Sequence, residues 1–175
     1  MPAAPLLPIR VLPIRILATG GTLDKEYNKL SGELVFTRSH LAELLDQARV
    51  RTPVAIETVM LKDSLNMDAA DREAILARCS ASPEDRIVVT HGTDTLAETA
   101  RLLGERLAGK TVVLVGAMVP FAFGGSDAMF NLGCAMTAVQ LCPPGVWVTM
   151  NGRVFPWDDV RKDRAAGEFT PRQES

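Results

Sequence analysis

The stretch that most constrains this chain is Ile87-Val88-Val89-Thr90-His91-Gly92-Thr93-Asp94-Thr95. An apolar run stops at a glycine, hydroxyls and a carboxylate follow at once, and a helix-like segment spans residues 96–106. That pattern describes a buried parallel strand whose carboxyl end turns into a helix, the place where open α/β sheets collect their ligands. Thr93 and Asp94 fall in the turn. Ordinary helix capping accounts for the same pair locally, so the rest of the chain has to decide between the two readings.

Four further segments repeat the theme. Residues 14–18 read as a first strand running into Thr19-Gly20-Gly21-Thr22, where paired glycines permit a tight turn and close approach of a ligand. A phosphate loop is disfavoured there, because the Gly-Lys-Ser/Thr ending is missing. Residues 54–59 read as a strand ending in Lys62-Asp63-Ser64-Leu65-Asn66-Met67. Residues 112–115 and 146–150 are further short apolar strands, the first followed by Gly116-Ala117-Met118. Between them, apolar residues recur at helical spacing over residues 37–49, over a segment capped by Asp68 or Asn66 and ending at Arg78, over 96–106, and over a long apolar helix capped by Ser126 and ending at Leu141. Small residues Gly133, Ala135 and Ala138 suit that last helix to close packing. His40 is expected on an exposed helix face. Residues 23–33 read as a polar surface loop, with Tyr27 either an anchor or a catalytic hydroxyl.

Strands alternating with helices give an α/β fold with a mostly parallel sheet, and right-handed crossovers make it a three-layer, doubly wound, flavodoxin-like single domain. The expected organisation is an extended, proline-rich lead-in over residues 1–13, the α/β domain over 14–165 and a charged, poorly periodic tail over 166–175. Nineteen basic against 21 acidic residues give a net charge of −2, which points to neither nucleic acid nor an anionic membrane as partner. The lead-in is too broken by proline for a signal peptide, and no run suits a bilayer span. Cys79, Cys134 and Cys142 lack metal-ligand spacing, and read as buried free thiols in a reducing, cytoplasmic setting.

Parallel strands send their carboxyl ends the same way, so Thr22, Ser64, Thr93 and Asp94 converge on one rim. A hydroxyl nucleophile there needs a proton acceptor and a site for an oxyanion. His91 reads as structural or loop-orienting, which leaves a lysine or a tyrosine as the acceptor. The same rim also suits a non-catalytic module that binds an amino acid or other small acid.

Thr19-Gly20-Gly21-Thr22-Leu23, Asp63-Ser64-Leu65-Asn66-Met67, His91-Gly92-Thr93-Asp94-Thr95 and Val115-Gly116-Ala117-Met118, in that order, resemble the motifs of bacterial-type L-asparaginases. The resemblance implies side-chain amide hydrolysis of asparagine or a related small amide, to acid and ammonia, through a threonine acyl-enzyme without metal or cofactor. It implies Thr22 as nucleophile, Tyr27 as the loop tyrosine that helps activate it, Thr93 as second catalytic threonine and Lys162 as its base-side partner. Asp94 would grip the substrate's α-amino group and Ser64 its α-carboxylate, with Gly21 and Gly92 lining the substrate site. The loop from Thr22 to Tyr27 is shorter than in classical members. The sequence ends at Ser175, where classical members continue into a smaller second domain, so it resembles a short single-domain branch. A homo-oligomer, dimer or tetramer, is expected from the long apolar helix with Phe121, Phe123 and Phe130 nearby.

Overall fold

A computed structural model describes residues 12–172. Six strands form the central sheet: β1 (Ile14–Gly20), β4 (Val54–Lys62), β5 (Arg86–Thr90), β6 (Thr111–Val115), β7 (Gly145–Met150) and β8 (Arg153–Pro156). Their order is β4-β1-β5-β6-β7-β8, with β8 antiparallel to β7 and every other pairing parallel. The chain starts in β1, crosses to β4 on one side and returns to β5 on the other. The order therefore reverses between β1 and β5, and a crevice opens at their carboxyl ends.

Burial on both faces explains why these strands are almost continuously apolar. On one face Ile14, Ile16, Val88, Val113 and Val115 pack against α1 (Leu41–Gln47) and α4 (Ala128–Leu141). On the other, Leu17, Val89, Leu114 and Val148 meet α2 (Ala69–Ala81) and α3 (Leu96–Arg106) through Ile75, Leu76, Leu96 and Leu103. The result is the expected three-layer, doubly wound α/β domain. Asp68 caps α2 in a reciprocal box with Asp71. Ser126 accepts from the Ala128 amide at 3.0 Å, and Asp127 beside it accepts from the Met118 and Val119 amides.

Four expectations need correction. Residues 23–33 are not simply a loop: after a single 3₁₀ turn, Thr22–Asp24, the chain forms an antiparallel hairpin of β2 (Lys25–Tyr27) and β3 (Leu34–Phe36). His40 is buried rather than exposed, because the α1 N-terminus is drawn in by Asp24, whose buried carboxylate accepts from the His40 amide at 2.8 Å and the Ser39 hydroxyl at 3.1 Å. Gly133 has open space where a side chain would stand, so it does not serve close packing. The C-terminal stretch is ordered by pairing that its charge pattern conceals. β8 extends the sheet, and β9 (Arg161–Asp163) pairs with β10 (Glu168–Thr170) across the boundary expected at residue 165. Phe155, Val160 and Phe169 anchor this segment in the core.

The lead-in over residues 1–13 lies, for residues 1–11, outside the described residues. All three cysteines are free; Cys79 is buried, whereas Cys134 and Cys142 are half-buried. Burial pushes the Cys79 thiol up to about 12, so it is inert at neutral pH. Among the described residues no helix is long and apolar enough to cross a membrane.

Candidate active site

Three turns meet at the crevice, and glycines allow them to. The turn after β1 carries Gly21 at φ 77°, where an added Cβ would run into the backbone of Gly92 in the turn after β5. A Cβ on Gly92 would in turn stand 2.6 Å from the Cβ and Oγ of Ser64, in the turn after β4. The Gly21 amide donates to the Lys62 carbonyl at 2.9 Å, and Thr19 Oγ1 donates to the Thr90 carbonyl at 2.7 Å. Thr22 and Thr93 each follow one of the two touching glycines.

Thr93 is buried, and its Oγ1 accepts from Lys162 Nζ at 2.7 Å. The same ammonium donates to Asp94 Oδ1 at 2.8 Å. Lys162 arrives from β9, so the C-terminal hairpin completes the rim. Ser64 is 1% exposed, and its Oγ has no hydrogen-bond partner among the described residues. Buried hydroxyls are nearly always satisfied, so an unpartnered one at the rim stands out. The Ser64 carbonyl is held by the Thr95 hydroxyl at 2.9 Å.

Thr22 sits half-buried at the start of its 3₁₀ turn, and its hydroxyl enters no hydrogen bond among the described residues. Tyr27 is 56% exposed at the end of β2, with its hydroxyl beside Gly32. The structure thus brings Gly21, Ser64, Gly92, Thr93, Asp94 and Lys162 together, with Thr22 on the backbone next to them. It does not join Tyr27 to Thr22.

Several supporting residues escaped the sequence reading. Asp63 forms an ion pair with Lys25, tying the β2–β3 hairpin to the rim, and accepts from the Leu65 amide at 3.0 Å. Burial pushes the Asp63 carboxyl up. The Lys25 and Leu65 hydrogen bonds, with the charges of Lys25 and Lys162, outweigh that and hold it below the usual carboxylate range. Asp63 opens the Asp63-Ser64-Leu65-Asn66-Met67 motif, but nothing local announces its partner. Asn131, wholly buried on α4, donates to the Gly116 carbonyl and accepts from the Asn151 amide, bracing the ends of β6 and β7.

His91 is wholly buried behind the Gly92–Thr93 turn. Its Nδ1 lies 2.8 Å from the Gly92 carbonyl and its Nε2 2.9 Å from Thr99 Oγ1. A carbonyl only accepts, so Nδ1 carries the proton and Nε2 accepts from Thr99. Burial pushes this imidazole down to about 4, against the Gly92 bond and with the Arg72 charge adding to the fall. It is a neutral brace of the turn. Among the described residues, no group of three or more His, Cys, Asp or Glu side chains could hold a metal ion.

A doubly wound α/β domain with a hydroxyl-rich rim at its strand-order reversal defines a class of small-ligand site. Within that class, residues 13–168 match the family described as Asparaginase, N-terminal, and the chain belongs to it. An L-asparaginase of Thermococcus kodakarensis is 28% identical over 165 residues, covering 89% of this chain and 49% of the relative. The crystal structure of L-asparaginase I from Vibrio cholerae superposes with a TM-score of 0.81 at 26% identity, over 95% of this chain and 53% of that one. A probable cytoplasmic L-asparaginase from Campylobacter jejuni gives 0.75 at 30% identity, over 86% and 49%. The chain spans about half the length of these relatives.

Proposed function

We propose that this chain is an asparaginase-type amidohydrolase that converts the side-chain amide of asparagine, or a related small amide, to the acid and ammonia. The observation that carries the reading is the Lys162 ammonium shared between Thr93 and Asp94, at 2.7 and 2.8 Å. In this scheme Thr22 Oγ1 attacks the carboxamide carbon. The C–N bond breaks, the nitrogen takes up a proton and leaves as ammonia, and an ester remains on Thr22. Water attacks the ester, the C–O bond to Thr22 breaks, and the threonine is restored. Thr93 and Lys162 form the proton relay for the departing nitrogen and the incoming water. Asp94 receives the substrate's α-amino group, Ser64 its α-carboxylate, and the backbones of Gly21 and Gly92 lie along it. Tyr27 is assigned to activation of Thr22. The scheme draws on no metal and no cofactor.

A second reading, a non-catalytic module for a small acid or amino acid, draws on the absence of any proton acceptor bonded to Thr22 among the described residues. Ammonia release from asparagine, glutamine and simpler amides separates the two. Release supports hydrolysis. No release, with a thermal shift on adding aspartate, supports binding alone. Neither response sinks both.

We place the protein in the cytoplasm as a homo-oligomer, dimer or tetramer. The free thiols and the cytoplasmic description of the Campylobacter jejuni neighbour support the first. Phe123 and Phe130, both more than half exposed, support the second. Sedimentation showing only monomer at micromolar concentration overturns the oligomer.

A further inference from the structure

Behind the Asp94–Lys162 pair lies a second cavity of about 300 Å³, on the side formed by α3 and the C-terminal hairpin. Asp94 and Lys162 belong to its wall, so it adjoins the rim just described. Its charge is unlike that of the chain, which carries −2 overall. Arg101 from α3, Arg161 and Lys162 from β9, and Arg164 and Arg172 from the segments around the hairpin all line it.

Its two acids are already engaged. Asp94 is paired with Lys162, and Glu98 accepts from Arg72 at 3.1 Å. Arg161 is occupied, its Nε donating to the Pro171 carbonyl at 3.2 Å. The guanidiniums of Arg101, Arg164 and Arg172 enter no ion pair among the described residues. All three are exposed side chains lining one cavity, so their guanidiniums are open to an anion entering from solvent. Each offers a fork of donors, so a tetrahedral oxyanion satisfies them better than one planar carboxylate.

We infer that this cavity is a binding site for a phosphate-type oxyanion, held by Arg101, Arg164 and Arg172 with Lys162 at its inner end. The anion is either free or an ester carried by a substrate whose amide lies in the neighbouring rim. The site itself stands independently of the hydrolase reading; only the substrate-borne case rests on it.

The test titrates the full chain with inorganic phosphate by calorimetry, holding ionic strength constant with chloride so that general screening does not change. The expected result is saturable one-to-one binding. It should weaken at least about tenfold in the Arg101→Gln/Arg164→Gln double variant, the loss of two charge-assisted hydrogen bonds. Lys29→Gln, at an exposed cation on the β2–β3 turn, should leave it unchanged. No saturable heat, or equal affinity in the double variant, overturns the proposal whatever the enzyme's activity. A kinetic arm assigns the source. A lower KM for an amide bearing a phosphate ester than for the plain amide, lost in the double variant, makes the anion part of the substrate. Equal KM values with phosphate binding intact make it a free ligand.

Discussion

Lys162 Nζ stands 2.7 Å from Thr93 Oγ1, although 69 residues separate the two in sequence. The contact depends on β9, which folds the C-terminal segment back over the turn after β5 with Phe169 of its partner strand fixed in the core. Lys162→Met keeps the stem of the side chain and removes the ammonium. Ammonia release should fall at least about a hundredfold, the scale of a lost proton relay. Circular dichroism should stay unchanged, because the β9–β10 hairpin keeps its apolar anchors. Near-normal turnover would exclude Lys162 from the relay.

Thr22→Val deletes the proposed nucleophile at nearly constant volume. The hydroxyl it removes makes no hydrogen bond among the described residues, so the unfolding midpoint should hardly move. Ammonia release should vanish, while the thermal shift produced by aspartate persists through Ser64 and Asp94. Retained release in this variant would move the nucleophile elsewhere on the rim.

The parts of the site that local sequence could reveal were those built from short-range pattern. The helix expected over residues 96–106 is Leu96–Arg106, and the apolar run before it is the buried strand Arg86–Thr90, because an apolar run followed by a glycine turn leaves little choice. The alternation of strands and helices pointed to a doubly wound parallel sheet, and the observed order β4-β1-β5 brings Gly21 against Gly92. Tertiary partners were another matter. Nothing near His40 announces that Asp24 will draw its amide inward, and nothing near Asp63 announces Lys25. β8, β9 and β10 are three or four residues long and rich in charge, so period-two alternation has no room to appear. Their stability comes from Phe155, Val160 and Phe169 reaching the core, which only the folded chain displays.

Gly92 and Gly133 should respond with opposite signs to the same substitution. In Gly92→Ala the new Cβ falls 2.6 Å from the Ser64 side chain, so the two turns must part. Urea unfolding should show a loss of about 1–3 kcal/mol, the usual cost of overpacking, together with weaker aspartate binding. Gly133 lies within α4 and meets nothing within 4 Å. Gly133→Ala should stabilise by about 0.5–1 kcal/mol, from reduced backbone freedom in the unfolded chain and better helix propensity. A stable Gly92→Ala protein with full ligand binding would mean that the three turns do not depend on this contact.

The pH response of the turn follows from His91. Its imidazole is lowered to about 4 in the folded chain by burial, from the usual value of about 6.5 when unfolded. Between those values the unfolded chain binds more protons, so stability rises with pH across this window and the contribution is complete above about 6.5. Acidification from neutrality to pH 4 should cost ~3 kcal/mol from this group. The proton NMR signal of the His91 ring should hold its neutral position down to about pH 5, and a ring that titrates near 6.5 would show that the pocket admits water. Thr99→Val tests the brace directly. It removes the donor to Nε2 at 2.9 Å and leaves a buried acceptor unpaired, at a cost of about 1–3 kcal/mol in urea unfolding. Because the lost bond is behind the Gly92–Thr93 turn rather than in the crevice, residual activity should track the loosened turn, with KM for the amide rising more than kcat falls.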